Sequence, residues 1–341
     1  MMRIGVDIGG TKVVAGVVDG DGRVRSRVRA DTPAQDPARL REVVTAMVRE
    51  LAGSHPVQTV GVGAAGLVDA HRAVVTFAPN IAWRHEPVAA WLRRDTGLPV
   101  VVENDANAAA WAEARFGAAR GEDGVVTLTV GTGIGGGIVT GGRLQRGSNG
   151  VAAELGHLVV APEGRRCGCG ARGCWEAYAS GNALVAHARE LARESPGSAR
   201  TLLDLVGGRP ESIRGRDVTR AADLGDPAAV AAFRVLGIWL ARGMANISAV
   251  LDPGTFVLGG GVAAAGALVV EPAVEHLRDL LARSAARPVP DVRVAALGDD
   301  AGLIGAADLA VPTAEPIPDP RGVPAPRLAA ADLQPTVDVF G

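Results

Sequence analysis

The sequence predicts an α/β fold made of two related halves, and three observations support this prediction. The chain has 341 residues, which is too long for one small core and suits two domains. Residues 3–30 read as strand, glycine turn, strand, glycine turn and strand, and residues 124–144 repeat this order. After each repeat, apolar strands alternate with helices, which is typical of the α/β class.

The elements of the first half follow from hydrophobic periodicity. The stretch "RIGVDI" alternates as a strand, and "KVVAGVVD" and "RVRSRVRA" continue as the next two strands. Residues 37–52 carry apolar side chains at helical spacing and predict an amphipathic helix. Residues 57–66 and 99–102 predict two further strands, and an alanine-rich helix follows over residues 106–111.

The third strand carries a stripe of arginines on one face, at positions of period two. Such a stripe is typical of a sheet face in contact with water, and a phosphate-binding surface is the alternative interpretation. The stripe consists of Arg23, Arg25, Arg27 and Arg29.

The second half opens with the three strands of "GVVTLTVGTGIGGGIVTGGRL". A long helix over residues 229–253 ends at an Asp-Pro pair, and residues 255–261 and 291–297 predict the two remaining strands. Residues 298–310 predict the last helix.

These elements suggest where the domains begin and end. We expect a small domain over residues 1–118, completed by the C-terminal helix at about residues 299–310, and a large domain over residues 119–298. Residues 311–341 contain seven prolines, which predicts a disordered tail.

Composition narrows the classes of function. Hydrophobic residues make up 48% of the chain and charged residues 21%, which is ordinary for a soluble globular protein. The net charge of −2 gives no basic footprint, so no nucleic-acid partner is expected. No apolar run in the sequence approaches the ~18 to 20 residues that a membrane span needs. Asp7 interrupts the N-terminal stretch that would have to be apolar in a secretory signal. The cytoplasm is therefore the expected location, without a membrane partner.

Two glycine–threonine turns occupy matching positions in the two halves. Glycine lets the backbone approach a ligand, and Thr and Lys side chains donate to phosphate oxygens. Ordinary β-hairpins are the alternative, but two matching turns predict a nucleotide phosphate clamp with one turn from each half. The predicted phosphate-binding residues are Gly9, Gly10, Thr11 and Lys12 of "DIGGTK" and Gly131, Thr132 and Gly133 of "TVGTGIGGG".

Glycine patterns at two other places need separate interpretation. Gly131, Gly133 and Gly136 also satisfy the dinucleotide fingerprint G-x-G-x-x-G. That fingerprint requires a helix next, whereas "GIVTGGRL" predicts a strand, so a dehydrogenase is rejected. At the end of "VLGGG", Gly260 and Gly261 predict either close approach of an adenine or an ordinary turn between strand and helix.

The three cysteines of the chain fall within eight residues and follow a histidine. Three thiolates and one imidazole make a closed tetrahedral set, which predicts structural zinc rather than catalytic zinc. Three unrelated thiols and a chance histidine are the alternative. Glu154 and Glu176 flank the set, and a zinc knot would fix both carboxylates, although each alone also fits a surface position. The predicted ligands are His157, Cys167, Cys169 and Cys174.

An acidic cluster stands where a predicted strand runs into a helix, in "VVENDANAAAW". Asn104 and Asp105 are suited to cap the helix, because their side chains accept hydrogen bonds from its first N–H groups.

The motifs "DIGGTK", "ENDANAAAWAE", "GTGIGGG" and "ELGH…CGCGARGCWE" together resemble the ROK family of bacterial sugar kinases, most closely its actinobacterial-type glucokinases. The resemblance runs from about residue 3 to residue 309. It implies the actin-like, ribonuclease-H-like fold with two domains and an active-site cleft between them. It also implies ATP-dependent phosphorylation of D-glucose to glucose 6-phosphate, with Mg²⁺ on the phosphates, in a homodimer or homotetramer.

The resemblance assigns roles to particular residues. It implies that Asp105 is the general base for the sugar 6-hydroxyl, a role compatible with capping. With no long apolar stretch around it, Asp105 is expected to need no raised pKa, and the positive helix terminus should keep it ionised. Because the zinc segment and the nucleotide turns are separate in sequence, we expect a zinc defect to affect the sugar site more than the ATP site. The implied sugar-binding residues are Asn80, Asn104, Asp105, Glu154, His157 and Glu176, with His157 serving zinc as well.

One departure and three alternatives remain. In "GAAG", residues 63–66, many relatives have a proline before the last glycine, so the contacts of this loop with the sugar are less defined. The substrate could be another hexose, such as N-acetylmannosamine, N-acetylglucosamine, fructose or allose. A sugar-responsive repressor of the family would need a DNA-binding domain ahead of the kinase-like part, and only six residues precede Asp7. Polyphosphate is the alternative phosphoryl donor, although members with the zinc motif resemble ATP users.

Overall fold

Two five-stranded sheets form the framework of the computed structural model, which describes residues 1–283 and 287–311. The predicted disordered tail lies outside the described residues from position 312 onward. In chain order, the described strands are β1 (Met2–Ile8), β2 (Lys12–Val18), β3 (Val24–Asp31), β4 (Val57–Ala64), β5 (Leu67–Val68), β6 (Val75–Phe77), β7 (Arg84–Glu86), β8 (Val100–Asn104), β9 (Val125–Val130), β10 (Ile134–Thr140), β11 (Arg143–Leu144), β12 (Thr255–Gly259) and β13 (Asp291–Val294).

Helices cover the sheets and connect them. The described α-helices are α1 (Pro37–Ser54), α2 (Val88–Thr96), α3 (Asp105–Arg115), α4 (Glu176–Ala179), α5 (Gly181–Glu194), α6 (Arg200–Leu205), α7 (Gly215–Asp223), α8 (Pro227–Leu251), α9 (Ala267–Ala282) and α10 (Ala301–Leu309). Short 3-10 turns lie between several of them, including Leu155–His157.

The two sheets have the same topology. The first has the order β3-β2-β1-β4-β8 and the second the order β11-β10-β9-β12-β13. In each sheet the opening strand pairs antiparallel with the next strand and parallel with a later one, as Ile4 does with Val17 and Val60. The predicted repeat of one α/β unit is therefore confirmed.

Each sheet has its own hydrophobic core. Apolar residues of β1, β2, β4 and β8 pack with α1 and α2, and those of β9 and β12 pack with the helices from α4 to α9. Helix α10 packs on the opposite face of the first sheet, against β1 and β4. Helix α3 packs on the opposite face of the second sheet, against β9 and β10. Helices α3 and α10 also pack against each other, so they form the layer between the two sheets.

Small residues allow this middle layer to pack closely. A Cβ atom added to Gly61 would lie 1.8 Å from the carbonyl oxygen of Ala306 in α10. One added to Gly305 would lie 1.7 Å from the carbonyl oxygen of Ala108 in α3. Both distances are far below van der Waals contact, so backbone approaches backbone at these glycines.

Helix α8 is long and apolar enough to span a membrane by length and composition alone, with a mean hydropathy of 1.4 over 18 of its 25 residues. The prediction that no apolar run approaches this length is therefore wrong. Within the fold, 56% of that window is buried, and Phe233, Leu236 and Met244 are core residues of the second half. The apolar character of α8 is explained by its packing against α5 and α9.

The structure decides two of the alternatives left by the sequence. The stretch after Gly133 is strand β10, which confirms that Gly131–Gly136 is not a dinucleotide fingerprint. The side chains of the arginine stripe on β3 are exposed, and Arg27 pairs with Asp300 at 2.5 Å. The stripe is therefore a solvated sheet face.

Candidate active site

The carboxylate of Asp105 stands at the junction of β8 and α3. Asp105 is the first residue of α3, and Asn104 is its N-cap, with its side-chain oxygen accepting from the N–H of Asn107 at 2.9 Å. The Asp105 Oδ1 atom accepts from the N–H of Ala106 at 2.9 Å and from Asn104 Nδ2 at 3.2 Å. The predicted capping role therefore falls on Asn104, and Asp105 is oriented by its two neighbours.

Burial raises the pKa of Asp105, and the N–H group of Ala106 opposes this rise. The expectation that its pKa would not be raised is wrong. Asp105 has a polar surround in the sequence, but the fold places it where β8 meets the middle helix layer and removes much of its water. A carboxyl group with a raised pKa is a better proton acceptor than an ordinary surface aspartate.

Asp7, at the end of β1, was not among the predicted site residues. Its pKa is raised to about 7, first by burial and then by the charges of Asp105 and Asp299, while Lys12 lowers it. Lys12 Nζ lies 2.9 Å from Asp299 Oδ2. A carboxylate inside the otherwise apolar "RIGVDI" was the signal in the sequence that could have identified Asp7.

The first glycine turn brings Asn80 into the site. The N–H of Gly9 donates to the carbonyl oxygen of Lys12 at 3.0 Å and closes the turn, with Thr11 exposed at its tip. A Cβ atom on Gly10 would lie 2.9 Å from Cβ of Asn80, so the exposed loop between β6 and β7 rests on the turn. Sequence reasoning missed these two strands and β5, because two or three residues are too few to show alternation.

The second glycine turn lies against Glu176. The N–H of Gly131 donates to the carbonyl oxygen of Gly133 at 2.9 Å, and Thr132 is exposed. A Cβ atom on Gly133 would lie 2.1 Å from Glu176 Oε2, and the same oxygen accepts from the N–H of Ile134 at 2.9 Å. A predicted sugar ligand and a predicted phosphate turn are therefore in direct contact. We expected a zinc defect to affect the sugar site more than the ATP site, because the zinc segment and the nucleotide turns are separate in sequence. This contact shows that they are not separate in the fold.

The glycines after β12 differ from each other. Gly260 has a left-handed φ of 84°, and a Cβ atom there would lie 2.6 Å from the carbonyl oxygen of Val130. The turn itself thus requires glycine at this position. Among residues 1–283 and 287–311, no atom beyond the chain neighbours of Gly261 lies within 4 Å of a Cβ added there, which leaves its backbone accessible.

The predicted zinc ligands are gathered in one place. The donor atoms of His157, Cys167, Cys169 and Cys174 all lie within 4.8 Å of one another. Cys169 Sγ is 3.7 Å from Cys174 Sγ, and Cys167 Sγ is 3.8 Å from His157 Nδ1. Tetrahedral zinc with Zn–S bonds of about 2.3 Å places its sulfur ligands about 3.8 Å apart. The cluster therefore has the spacing of a tetrahedral zinc site, and none of the three cysteines forms a disulfide.

Two carboxylates connect the cluster with Asp105. Glu176 Oε1 lies 3.6 Å from Cys167 Sγ. Burial raises the pKa of Glu154, His157 lowers it, and the charges of Asp105 and Glu176 raise it further. Asp105 of the first half therefore acts electrostatically on Glu154 of the second half.

Glu103 stabilises the end of β8 and was not predicted to have a role. It is buried, and its Oε2 atom lies 2.7 Å from Arg146 Nε and 3.4 Å from Arg72 Nε. Its Oε1 atom accepts from the N–H of Asn104 at 3.0 Å. Asn104 Nδ2 in turn donates to the carbonyl oxygen of Gly66 at 3.1 Å, which fixes the end of the "GAAG" loop.

Two sheets of identical topology, a glycine turn after the opening strand of each and a carboxylate at the edge of the middle layer define an actin-like, ribonuclease-H-like phosphotransferase fold with its site in the cleft between two domains. The ROK family model matches residues 3–312. The chain belongs to the ROK family.

Curated and solved relatives agree with this assignment. The glucokinase of Streptomyces coelicolor is 47% identical over 309 residues, which cover 91% of this chain and 97% of that protein. The structure of a ROK family glucokinase from Streptomyces griseus, solved in complex with glucose and AMPPNP, is 50% identical and superposes with a TM-score of 0.82 over 91% of this chain and 99% of that chain. An N-acetylmannosamine kinase of Escherichia coli is 37% identical over 322 residues, 91% of this chain and 98% of that protein.

Proposed function

We propose that the protein is an ATP-dependent glucokinase that transfers the γ-phosphoryl group of ATP to the 6-hydroxyl of D-glucose. The observation that carries the proposal is the oriented, partly desolvated carboxylate of Asp105, whose charge acts on Asp7 of the first half and on Glu154 of the second. The identity to glucokinases over nine-tenths of the chain supports the sugar and the donor.

In the proposed reaction, Asp105 accepts the proton of the 6-hydroxyl as the O6–P bond forms. The bond from the γ-phosphorus to the bridging oxygen breaks, and ADP leaves with that electron pair. Sugar hydroxyls are held by residues on both sides of the cleft, and the two turns bind the phosphates through backbone N–H groups. In this proposal the sugar ligands are Asn80, Asn104, Glu154, His157 and Glu176, the phosphate turns are Gly9–Lys12 and Gly131–Gly133, and Gly260 and Gly261 lie under the adenine.

Mg²⁺ fits the surroundings of Asp7. Burial and then the charges of Asp105 and Asp299 raise the pKa of Asp7 to about 7, while Lys12 lowers it, so three carboxyl groups and one cation act on one another there. Oxygen ligands of this kind suit Mg²⁺, which would neutralise charge on the ATP phosphates. Asp7 would hold the ion, directly or through water.

Zinc has a structural role in this proposal. All four donors are protein side chains, so no coordination position is left for a substrate. Through Glu176 and Glu154 the knot would set the geometry of the sugar site.

Further features of the protein are proposed from the same reasoning. The separate cores support a small domain over residues 1–118 with the helix near residues 299–310, and a large domain over residues 119–298. The proposed enzyme is a cytoplasmic homodimer or homotetramer that acts on glucose and ATP, with neither nucleic acid nor membrane as a partner, and its resemblance to the glucokinases of the family supports this.

A coupled kinase assay tests the proposal directly. The purified protein is offered glucose, N-acetylmannosamine, N-acetylglucosamine, fructose and allose, each with ATP and with polyphosphate. The expected result is the highest kcat/KM with glucose and ATP. A higher kcat/KM for N-acetylmannosamine would assign another hexose, and turnover only with polyphosphate would reject ATP as the donor. Asp105→Asn in the same panel excludes a contaminating kinase.

A further inference from the structure

Glu113 is the last residue of "ENDANAAAWAE", and the proposed chemistry gives it no role. It lies in the last turn of α3 with 1% of its surface exposed. A buried carboxylate normally has a cationic partner, because desolvation of an unpaired charge is costly. No ion pair of Glu113 occurs within residues 1–283 and 287–311.

Three backbone N–H groups take the place of a cation. Glu113 Oε2 accepts from the N–H of Ala118 at 2.8 Å and from that of Ala296 at 3.1 Å. Glu113 Oε1 accepts from the N–H of Leu297 at 2.8 Å. Hydrogen bonds from N–H groups to a carboxylate are charge-assisted and stronger than those between neutral groups.

These N–H groups belong to the two segments through which the chain passes between the halves. Residues 116–124 connect α3, which continues the first sheet, with β9 of the second sheet. Residues 295–300 connect β13 of the second sheet with α10, which packs on the first. One carboxylate therefore binds both connections.

Gly117 preserves the space that this arrangement needs. A Cβ atom on Gly117 would lie 2.1 Å from Glu113 Oε2, whereas its closest approach to backbone is 3.0 Å, to Cα of Glu113. Gly117 is not among the glycines with positive φ, so its backbone accepts an alanine. The side chain of Glu113 is thus the main obstacle to a methyl group at this position.

We propose that Glu113 is a positioning residue that fixes both interdomain connections to one point and so maintains the orientation in which the two halves of the active site meet. Asp105 and the first turn lie on one side of these connections, and the second turn with Glu176 lies on the other. The kinetic consequence rests on the proposed kinase function, whereas the structural consequence does not.

Glu113→Gln tests the proposal. One amide oxygen cannot replace two carboxylate oxygens, so the NH₂ group must face at least one N–H group. Hydrogen exchange at Ala118, Ala296 and Leu297 should become at least tenfold faster in the folded protein without substrates, and kcat/KM for glucose and for ATP should fall about tenfold each, as misplacement of reacting groups costs such factors. Glu122→Gln is the matched control, because Glu122 lies on the same connection but is partly exposed and accepts from Arg293. It should change neither quantity by more than about twofold.

A double-mutant cycle of Glu113→Ala and Gly117→Ala separates positioning from a general loss of stability. Gly117→Ala alone should reproduce the exchange and kinetic effects of Glu113→Gln, because the methyl group displaces the carboxylate. In the Glu113→Ala background the same change should add less than about twofold, since the groups in contact are no longer both present.

Three outcomes would overturn the proposal. The first is unchanged hydrogen exchange at the three amides in Glu113→Gln. The second is additivity of the effects of Glu113→Ala and Gly117→Ala. The third is a kcat/KM of Glu113→Gln within twofold of that of the unmodified protein at a temperature where both are folded. Faster exchange in a protein that phosphorylates no sugar would leave the positioning role standing and reject the kinase function instead.

Discussion

The two glycine turns occupy equivalent places after β1 and β9, yet their charges come from different sources. The first turn follows Asp7 and includes Lys12, so that it contains its own carboxylate and its own cation. The second turn has no charged side chain, and Glu176 reaches it from α4. The backbone differs as well, because the Gly9 N–H bonds to the carbonyl of Lys12 whereas the Gly131 N–H bonds to the carbonyl of Gly133. The comparison shows that turns at equivalent places in two related sheets can differ both in backbone and in the element that supplies their charge.

The last strands of the two sheets differ in the same way. β8 ends at Asn104 and leads directly to the Asp105 carboxylate. β13 ends at Val294 and leads to N–H groups that Glu113 binds. The end of β8 thus leads to the carboxylate of Asp105, whereas the segment after β13 is bound by the carboxylate of Glu113 from the other half.

The largest effect on kcat is expected from substitution of Asp105, the carboxylate that directly follows β8. Asp105→Asn should keep the fold and lower kcat roughly 10²- to 10⁴-fold, because a general base contributes about this much. The raised pKa of Asp105 also places the acidic limb of the kcat profile above the range of ordinary carboxyl groups, with activity falling as pH falls. Steady-state kinetics over a series of acidic to neutral pH values measure both. Asp291→Asn, at the exposed start of β13, serves as the control, and near-normal turnover of folded Asp105→Asn would remove Asp105 as the base.

The second turn allows a matched pair of glycine substitutions. The methyl group of Gly133→Ala would overlap with the carboxylate of Glu176 and displace it. Because Glu176 is a proposed sugar ligand that also contacts the second turn, KM for glucose and for ATP should each rise about tenfold. At Gly131 no protein atom lies within 4 Å of an added Cβ, so Gly131→Ala should affect ATP alone. Calorimetric titration of each substrate separates the two results. Equal behaviour of the two variants would contradict the contact with Glu176.

The zinc knot should affect the second turn through Glu176. In Cys174→Ser the metal content should fall from about one zinc per chain, because only three of the four donors remain. KM for glucose should rise several-fold, and KM for ATP should rise with it, because Glu176 contacts both the cluster and the second turn. Elemental analysis and kinetics measure the two effects, and an active protein that contains no metal would reject the zinc site.

The first turn should show a stability cost that the second lacks. The pKa of Asp7 is about 7 in the folded protein and 3.8 in the unfolded reference, so the folded state holds its proton more tightly. Stability from this group is present below the unfolded pKa and is lost as pH rises through about 7. At pH 8 (about one unit above the folded pKa), Asp7→Asn should therefore raise Tm by about 3 °C without nucleotide or Mg²⁺ and lower activity. Scanning calorimetry from pH 4 to 8 (roughly the span of the two pKa values) measures the difference, and Thr132→Ala should show no such pH dependence.

The smallest effect is expected on the arginine stripe of β3. Arg29 is exposed, so Arg29→Gln should change the free energy of unfolding by less than about 0.5 kcal/mol and leave KM for ATP unchanged. A clear rise in KM for ATP would restore the phosphate-binding interpretation.

Local patterns in the sequence predicted the strands of both sheets because all of them except β11 are long enough to show alternation or an apolar run, and the two-residue β11 follows a Gly-Gly turn. They predicted the zinc ligands because the four residues lie close together in the chain. The contacts of Gly133 with Glu176 and of Glu113 with Ala296 join residues far apart in sequence, and no local pattern records them. The raised pKa of Asp105 depends on burial by the middle helix layer, so its polar sequence neighbours misled the prediction.

The close packing of α3 and α10 determines which parts of this protein tolerate a change of side-chain volume. At Gly61 and Gly305 any other residue adds atoms where none fit, so substitutions there move backbone and typically cost about 1 to 3 kcal/mol or more. Around α8, by contrast, large side chains such as Phe233 and Leu236 can be shortened in graded steps. Substitutions should therefore be tolerated in finer steps among the outer helices than in the layer of α3 and α10 between the two sheets.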